Sequence, residues 1–209
     1  MIRVSEWLKA FLQAGPLAGH FLWRLPSGGD IALTFDDGPD PNFTGGILDL
    51  LGKHSVKATF FVVGETVQRY PNVLRDIVAA GHSIGAHSQT HRDFPTLNKA
   101  ALITELTACR RIIADVTGVD TLLVRPPRGR LSAAVLWHTR VAGYRIVHWS
   151  KTYSDYLKDG SEALVARIKA DPPRARDIVL FHDNNAHTTR ALAEMLPLWI
   201  EARYRFATL

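Results

Sequence analysis

Three short apolar runs dominate the hydrophobic pattern of the chain, at residues 31–35, 58–63 and 178–181. Each run is closed by glycine or by charged residues, which is typical of strands that are covered on both faces of a sheet. Weaker runs of the same kind predict further strands at residues 82–86, 122–125, 144–149 and 205–209. The pattern therefore predicts seven strands.

Apolar residues spaced three and four positions apart lie between the predicted strands and predict helices. The longest helix is predicted at residues 97–117, and Cys109 lies on its apolar stripe. We therefore interpret Cys109 as a core thiol and not as a nucleophile. The other helices are predicted to begin at residues that favour helix starts, which are Thr44, Pro71, Ser132, Ser161 and either Thr188 or Thr189.

Strands that alternate with helices are usually parallel neighbours joined by crossovers. The predicted units favour an α/β fold built as a small or incomplete (β/α) barrel, with an open doubly wound sheet as the alternative. Both folds place ligands at the carboxyl ends of the strands. The length of 209 residues fits one domain, which we predict at residues 29–209.

Residues 1–28 are predicted to form a short N-terminal leader that packs on the domain. Basic residues precede an apolar stretch at 10–23, as they do in a signal peptide. Glycine, proline and polar residues interrupt this stretch, and it is shorter than the ~18 apolar residues of a membrane-spanning helix. We therefore expect no transmembrane segment and a cytoplasmic location, with export by an atypical signal as the alternative.

Composition narrows the possible functions. The single cysteine excludes a disulfide scaffold and a cysteine-rich zinc site. The net charge of +5 is compatible with nucleic-acid binding, but the basic residues are scattered along the chain and no basic helix is predicted. We therefore expect no nucleic-acid partner.

Polar side chains that could carry chemistry follow the predicted strands. Asp36 and Asp37 come directly after the first strand, before Gly38 and Pro39. Two adjacent carboxylates repel each other and lose solvation at such a position, so they normally need a cation or an arginine nearby. The alternative is a simple turn, because Asp-Gly-Pro is a sequence that favours turns.

His87 and His91 follow the predicted strand at 82–86 and are four residues apart. This spacing can direct two imidazoles at one ion if the segment coils, and imidazole is a ligand for zinc, iron, cobalt or nickel. A zincin site needs glutamate directly after the first histidine, and Ser88 occupies that position here. A general base must then come from elsewhere; a structural role for both histidines is the alternative.

Three further strands are predicted to end at, or to be followed by, Arg125, Asp155 and His182. A guanidinium group at the mouth of a barrel most simply neutralises a carboxylate. Because parallel strands share one carboxyl edge, we expect these three residues to lie at the same face of the sheet as the acid pair and the histidine pair.

Five segments of the chain also resemble, in the same order, the motifs of the polysaccharide deacetylases of carbohydrate esterase family 4, whose shared region is the NodB homology domain. They are Thr-Phe-Asp-Asp-Gly-Pro at 34–39, His-Ser-Gln-Thr-His at 87–91, Arg-Pro-Pro-Arg-Gly at 125–129, residues 149–156, and Leu-Phe-His-Asp at 180–183. The resemblance covers about residues 31–209 and implies a single-domain distorted (β/α)7 barrel of parallel strands that binds one divalent metal ion.

The resemblance further implies a metal site and a catalytic base. Asp37, His87 and His91 match the metal ligands, with zinc as the expected ion and cobalt, nickel or iron as alternatives. Asp36 matches the base that takes a proton from water, and Arg125 would hold the carboxylate of Asp36 in place and keep it ionised.

His182 matches the family's catalytic acid, and Asp155 is implied as the residue that orients it. The backbone N–H of Arg128 is implied as an oxyanion donor. Arg128, Thr152 and Tyr156 depart from the family pattern, which has an aromatic residue, aspartate and tryptophan at these positions. A cation in place of an aromatic residue suggests an anionic substrate, such as a phosphorylated or lipid-linked glycan.

These observations predict a metal-dependent hydrolase that removes N-acetyl or similar N-acyl groups from a glycan or an amino sugar. The same groups would also serve an O-acetyl esterase, an amino-sugar deformylase or an amidase for small substrates. From a different class, the altered third and fourth motifs permit an inactive barrel that only binds glycan.

Overall fold

The computed structural model describes residues 6–15, 17–157 and 159–209, and these residues contain eight strands and eight α-helices. The strands are β1 Phe21–Leu22, β2 Ala32–Asp36, β3 Thr59–Val62, β4 Ser83–Ala86, β5 Leu123–Val124, β6 Arg145–Val147, β7 Lys151–Thr152 and β8 Ile178–His182. The helices are α1 Glu6–Ala14, α2 Thr44–Lys53, α3 Gly64–Arg69, α4 Pro71–Ala79, α5 Lys99–Thr117, α6 Ala133–Val141, α7 Ser161–Ala170 and α8 Ala186–Glu201. Short 3₁₀ turns lie at Phe94–Thr96 and Pro127–Gly129.

All eight strands belong to one sheet, in the order β1-β6-β5-β4-β3-β2-β8-β7, and every ladder between them is parallel. The sheet curls into a half-barrel, and an isolated antiparallel bridge joins Arg24, after β1, to Asp177, before β8. The predicted single-domain α/β fold, a distorted barrel of parallel strands, is thereby confirmed. Its carboxyl edge carries the ends of β2, β4, β5 and β8.

The core explains why the central strands read as continuous apolar runs. All five residues of β2 are buried, because β3 and β8 flank the strand and helices cover its outer face. Phe35 stacks between Phe60 and Phe181, with ring centroids 4.9 and 6.1 Å away. Cys109 is fully buried on α5, and burial raises its pKa to about 12. The prediction of a core thiol is confirmed.

The prediction of a strand at residues 205–209 is wrong. In this segment Phe206 forms only an isolated bridge with Ile31, just before β2 begins. The tail cannot continue along β2, because β3 and β8 already occupy both edges of that strand. The strands β1 and β7 were not predicted, because β1 lies within the stretch interpreted as a leader and the two residues of β7, Lys151 and Thr152, are polar and form no apolar run.

Helix starts are partly as predicted. Pro71 is the first residue of α4, and the Ser132 side chain caps α6. The prediction that Thr188 or Thr189 opens the last helix is wrong, because Asn185 caps α8 by accepting a hydrogen bond from the Thr188 N–H. The Thr44 side chain is not a cap of α2 either, since its hydroxyl donates to a carboxylate elsewhere in the fold. The short helix α3 was not predicted.

The leader predicted at residues 1–28 lies partly outside the described residues, which leave out 1–5 and 16. Of the rest, Glu6–Ala14 forms α1 and Phe21–Leu22 forms β1, at the edge of the sheet. The Gln13 side chain accepts hydrogen bonds from the N–H groups of Trp23 and Arg24 and so ties α1 to the chain after β1. The boundary at residue 28 stays a prediction. No helix in the described ranges is long and apolar enough to cross a membrane.

Candidate active site

Three groups that could hold a metal ion meet at the carboxyl edge of the sheet. They are Asp37, after β2, and His87 and His91, after β4. Oδ1 of Asp37 lies 3.4 Å from Nε2 of His87 and 3.2 Å from Nε2 of His91. One ligand atom from each residue lies within 4.8 Å of the other two. The sequence prediction that these residues share one site agrees with this geometry.

The charge distribution of this group suits a cation. Burial by itself would raise the pKa of Asp37, but the imidazoles of His87 and His91 hold it well below its usual range. The Asp37 carboxylate is therefore ionised at neutral pH. One carboxylate oxygen and two imidazole nitrogens are a donor set that divalent transition metals accept.

Two of the three groups are oriented by a further contact. Nδ1 of His87 lies 2.7 Å from the carbonyl oxygen of Arg125, so Nε2 faces the shared site. The Asn184 side chain donates to Oδ2 of Asp37 at 3.3 Å, which leaves Oδ1 facing the two imidazoles. No pattern in the sequence pointed to Asn184, because it lies in a polar turn between β8 and α8.

The backbone around the site is unusual. Among the described residues other than glycine, positive φ angles occur at Asp37 (78°), Ser88 (67°), His91 (56°) and Arg128 (56°), as well as at positions outside the site. Such conformations typically cost about 1–3 kcal/mol each and persist where the surrounding structure holds them. Their concentration in the loops after β2, β4 and β5 is typical of a functional site.

Asp36 and Arg125 form a buried ion pair beside the metal-ligand group, which consists of Asp37, His87 and His91. The side chains are 4% and 0% exposed, and Oδ1 of Asp36 accepts a hydrogen bond from Arg125 at 2.7 Å. The guanidinium also donates to the hydroxyl of Thr34 and to two backbone carbonyls, and it lies 4.2 Å from the Phe61 ring centroid. The second carboxylate oxygen of Asp36 lies 3.8 Å from Nε2 of His87, so it faces the metal-ligand group.

His182 stands on the neighbouring strand, where its Cα pairs in register with that of Asp36. Asp155 accepts two hydrogen bonds from His182, at 2.8 Å from the ring Nδ1 and at 2.7 Å from the backbone N–H. The Thr188 hydroxyl donates to the same carboxylate at 2.6 Å. Burial by itself would lower the pKa of His182, but Asp155, followed by Asp36 and Asp37, raises it to about 9.

Arg128 lies beside the site, but its side chain turns to the surface. Its guanidinium pairs with Asp93 at 2.7 Å, and Arg130 pairs with the other oxygen of the same carboxylate. The predicted role of Arg128 depends on its backbone N–H, which this ion pair leaves untouched. Thr152 lies on β7 and is exposed, whereas the ring of Tyr156 meets the His182 ring edge-on at 6.0 Å.

Asp183 is a site neighbour that sequence analysis did not assign. Its carboxyl group is buried, accepts a hydrogen bond from the Thr44 hydroxyl at 2.6 Å, and packs directly against the Cα of Gly38. A Cβ atom at Gly38 would overlap both carboxylate oxygens. Burial raises the pKa of Asp183 to about 7. Its position next to His182 in the sequence was the available signal.

Known proteins resemble this chain along most of its length. Residues 25–147 match the family described as polysaccharide deacetylase. The peptidoglycan-N-acetylglucosamine deacetylase of Bacillus cereus is 35% identical over 196 residues, which cover 91% of each chain. A chitooligosaccharide deacetylase of Rhizobium leguminosarum bv. trifolii is 38% identical over 156 residues, which cover 74% of this chain and 71% of that protein. The structure of Bacillus subtilis PdaA, a family 4 carbohydrate esterase, has a TM-score of 0.87 and 27% identity, over 99% of this chain and 88% of that chain.

Proposed function

Because the chain belongs to the polysaccharide deacetylase family, and is therefore a hydrolase of carbon–nitrogen bonds other than peptide bonds, we propose that it removes N-acetyl groups from N-acetylglucosamine units of a glycan. One observation carries the proposal: the group of Asp37, His87 and His91 lies beside a buried carboxylate, Asp36, whose register partner on the neighbouring strand is His182, an imidazole paired with Asp155.

We assign zinc to the group of Asp37, His87 and His91. The bound ion supplies Lewis acidity, which polarises an acyl carbonyl and lowers the pKa of water. Asp36 then takes the proton from the attacking water. Arg125 fixes the orientation of Asp36 through Oδ1, so that the oxygen next to His87 is the one that accepts the proton.

His182 supplies the proton for the leaving nitrogen. Its pKa of about 9 keeps the ring protonated at neutral pH, and Asp155 holds Nδ1, so Nε2 is the nitrogen that donates. The backbone N–H of Arg128 donates to the oxygen on which negative charge develops. In this proposal Asp36 and His182 act on opposite sides of the acyl group, Asp36 on the attacking water and His182 on the leaving nitrogen.

The substrate that we propose is a glycan containing N-acetylglucosamine, of the peptidoglycan or chitooligosaccharide type. The names of the B. cereus and R. leguminosarum relatives support this choice. Tyr156 is exposed beside His182 and offers a flat surface for a sugar ring. An anionic group on the glycan would bind near Arg128 and Arg130, whose two positive charges share the single carboxylate of Asp93.

The substitution Asp36→Asn tests the mechanism. It keeps the shape of the side chain but removes the base, so turnover of N-acetylglucosamine oligomers should fall by about 100- to 10,000-fold. Zinc should still bind, with one ion per chain, because Asp36 is not a ligand. Asp49→Asn, on the exposed face of α2, is the matched control and should have wild-type turnover. Full activity of Asp36→Asn would exclude this mechanism.

A substrate panel separates the alternatives. Release of acetate from N-acetylglucosamine oligomers but not from O-acetylated xylan supports the deacetylase, and the reverse identifies an O-acetyl esterase. Faster release of formate from a formylated amino sugar identifies a deformylase. Protein that binds oligomers without releasing product and holds no stoichiometric metal would be an inactive glycan-binding barrel.

A further inference from the structure

Glu105 is a buried carboxylate for which the proposed mechanism has no role. It lies on α5, in the apolar stripe between Leu102 and Cys109, and is 7% exposed. Within the described ranges no basic side chain forms an ion pair with it. A carboxylate at such a position needs several hydrogen-bond donors to remain buried.

The donors come from the loop that joins the two histidines of the metal-ligand group. Oε2 of Glu105 accepts hydrogen bonds from the N–H groups of Gln89 and Thr90, both at 2.9 Å, and Oε1 accepts one from the Thr90 hydroxyl at 2.7 Å. Glu105 therefore binds the middle of the loop with both oxygens. All three donors lie between His87 and His91 in the sequence.

The opposite edge of the same loop is bound to α3. The first N–H groups of this helix, at Gly64 and Glu65, donate to the carbonyl oxygens of Ser88 and Gln89 at 3.0 and 2.9 Å. A Cβ atom at Gly64 would collide with the Gln89 side chain, so helix and loop are in close contact. Glu105 and the start of α3 thus hold the loop from two sides.

His91 is the ligand that depends most on this support. His87 is 2% exposed and is oriented through its own Nδ1, whereas His91 is 31% exposed. In the part of the chain that the structure describes, Nδ1 of His91 has no hydrogen-bond partner. Among the described residues, its ring contacts only the other two members of the group, Asp37 and His87, so its position relative to them depends on its backbone, which has a φ of 56°. Shifting a metal ligand by less than 1 Å is enough to weaken a metal site.

We propose that Glu105 is a positioning residue for the metal site, which holds His91 in place through the loop at Gln89 and Thr90. The inference rests on the proposed function, because it requires that Asp37, His87 and His91 bind a metal ion. It adds to that function a residue outside the ligand set that determines how tightly the ion is held.

The test uses Glu105→Leu, which removes the acceptors but suits the apolar stripe in size and helix propensity. Zinc affinity, measured by competition with a chromogenic chelator, should fall by about 10- to 100-fold. In metal-free protein, the amides of Gln89 and Thr90 should exchange with deuterium faster than in the wild type. Glu105→Gln still presents an oxygen to both N–H groups, so its zinc affinity should stay within about 3-fold of the wild type.

Ile113→Ala is the matched control, because Ile113 is buried on the same stripe two turns further along α5. This control should lower the melting temperature and leave zinc affinity unchanged. Wild-type zinc affinity of Glu105→Leu would overturn the inference. If Glu105→Leu does not fold, Thr90→Val tests the inference instead, because it removes one donor without altering α5. We expect Thr90→Val to weaken zinc binding by about 3- to 10-fold. Unchanged zinc binding of this variant would overturn the inference.

The outcome also separates this inference from the proposed function. A wild-type protein that does not bind zinc contradicts the proposed function and, with it, the role of Glu105. A wild-type protein that binds zinc, together with a Glu105→Leu variant that binds it equally well, contradicts the role of Glu105 alone.

Discussion

Arg125 and Arg128 belong to the same five-residue segment, and each forms an ion pair with an aspartate at 2.7 Å, but the two pairs lie in different surroundings. Arg125 is fully buried with Asp36, whereas Arg128 is 56% exposed with Asp93. In the sequence both arginines are cations at the end of a strand. Burial, and not charge, therefore distinguishes the arginine that belongs to the site from the arginine at its exposed edge.

The largest effect is expected at the buried pair. Arg125→Met would leave the Asp36 carboxylate in the interior without its partner, and breaking a buried pair typically costs about 3–5 kcal/mol of the free energy of unfolding. Turnover should fall by more than about 100-fold, because the base loses its orientation. Urea unfolding and steady-state kinetics measure both effects. A loss of less than ~1 kcal/mol would show that the buried pair behaves like the exposed one.

An intermediate effect is expected at the second buried pair, Asp155 with His182. Because the pKa of His182 is about 9, the activity of the wild type should fall as the pH rises through about 9 and the acid loses its proton. In Asp155→Asn this decrease should move towards pH ~6.5, the ordinary range of histidine. The pH dependence of kcat measures the shift. An unchanged alkaline limb would mean that Asp155 does not determine the charge of His182.

The same pair makes a prediction about stability. A pKa raised in the folded state stabilises the protein only while the imidazole is charged, so the contribution is complete below pH ~6.5 and is lost as the pH rises through about 9. The difference in unfolding free energy between the wild type and Asp155→Asn should therefore be larger at pH 6 than at pH 10. A difference that grows with pH would contradict the assignment.

The smallest effect is expected at the exposed pair. Arg128→Ala should change the free energy of unfolding by less than ~1 kcal/mol, and this change should shrink further in 1 M NaCl. Turnover of uncharged N-acetylglucosamine oligomers should stay within about 3-fold, because the backbone N–H remains. A selective loss of activity on an anionic glycan would show that the Arg128 side chain leaves Asp93 to contact substrate.

The sequence was sufficient to predict the parallel α/β fold and the meeting of the strand-end residues. Parallel strands share one carboxyl edge, so Asp36, His87 and His182 had to approach each other once their strands were identified. The strand prediction at 205–209 failed because an apolar pattern does not reveal whether a free sheet edge is available; Phe206, Ala207 and Leu209 pack against the core but are only partly buried. The hydrophobic pattern of a segment indicates which of its faces is apolar, but it does not indicate which strands lie beside it.

The residues that support the site were harder to predict. Glu105 interrupts an apolar stripe, and a single charged residue there looks like a break in the pattern until its three donors are known. Asn184 lies in a polar turn between β8 and α8, and the polar character of the turn does not distinguish Asn184 from its neighbours. The exposure of Arg128 was also invisible, because the partner that draws it to the surface, Asp93, lies in a different loop.

The contact between Gly38 and Asp183 bears on protein engineering. Position 38 follows Asp37 directly and has no room for any side chain, so a library that randomises the loop after β2 should return glycine there. Diversity meant to change sugar preference belongs instead at open positions such as Tyr156, where the ring faces solvent and can be exchanged without repacking. The fold thus separates the positions that can evolve new selectivity from those that cannot.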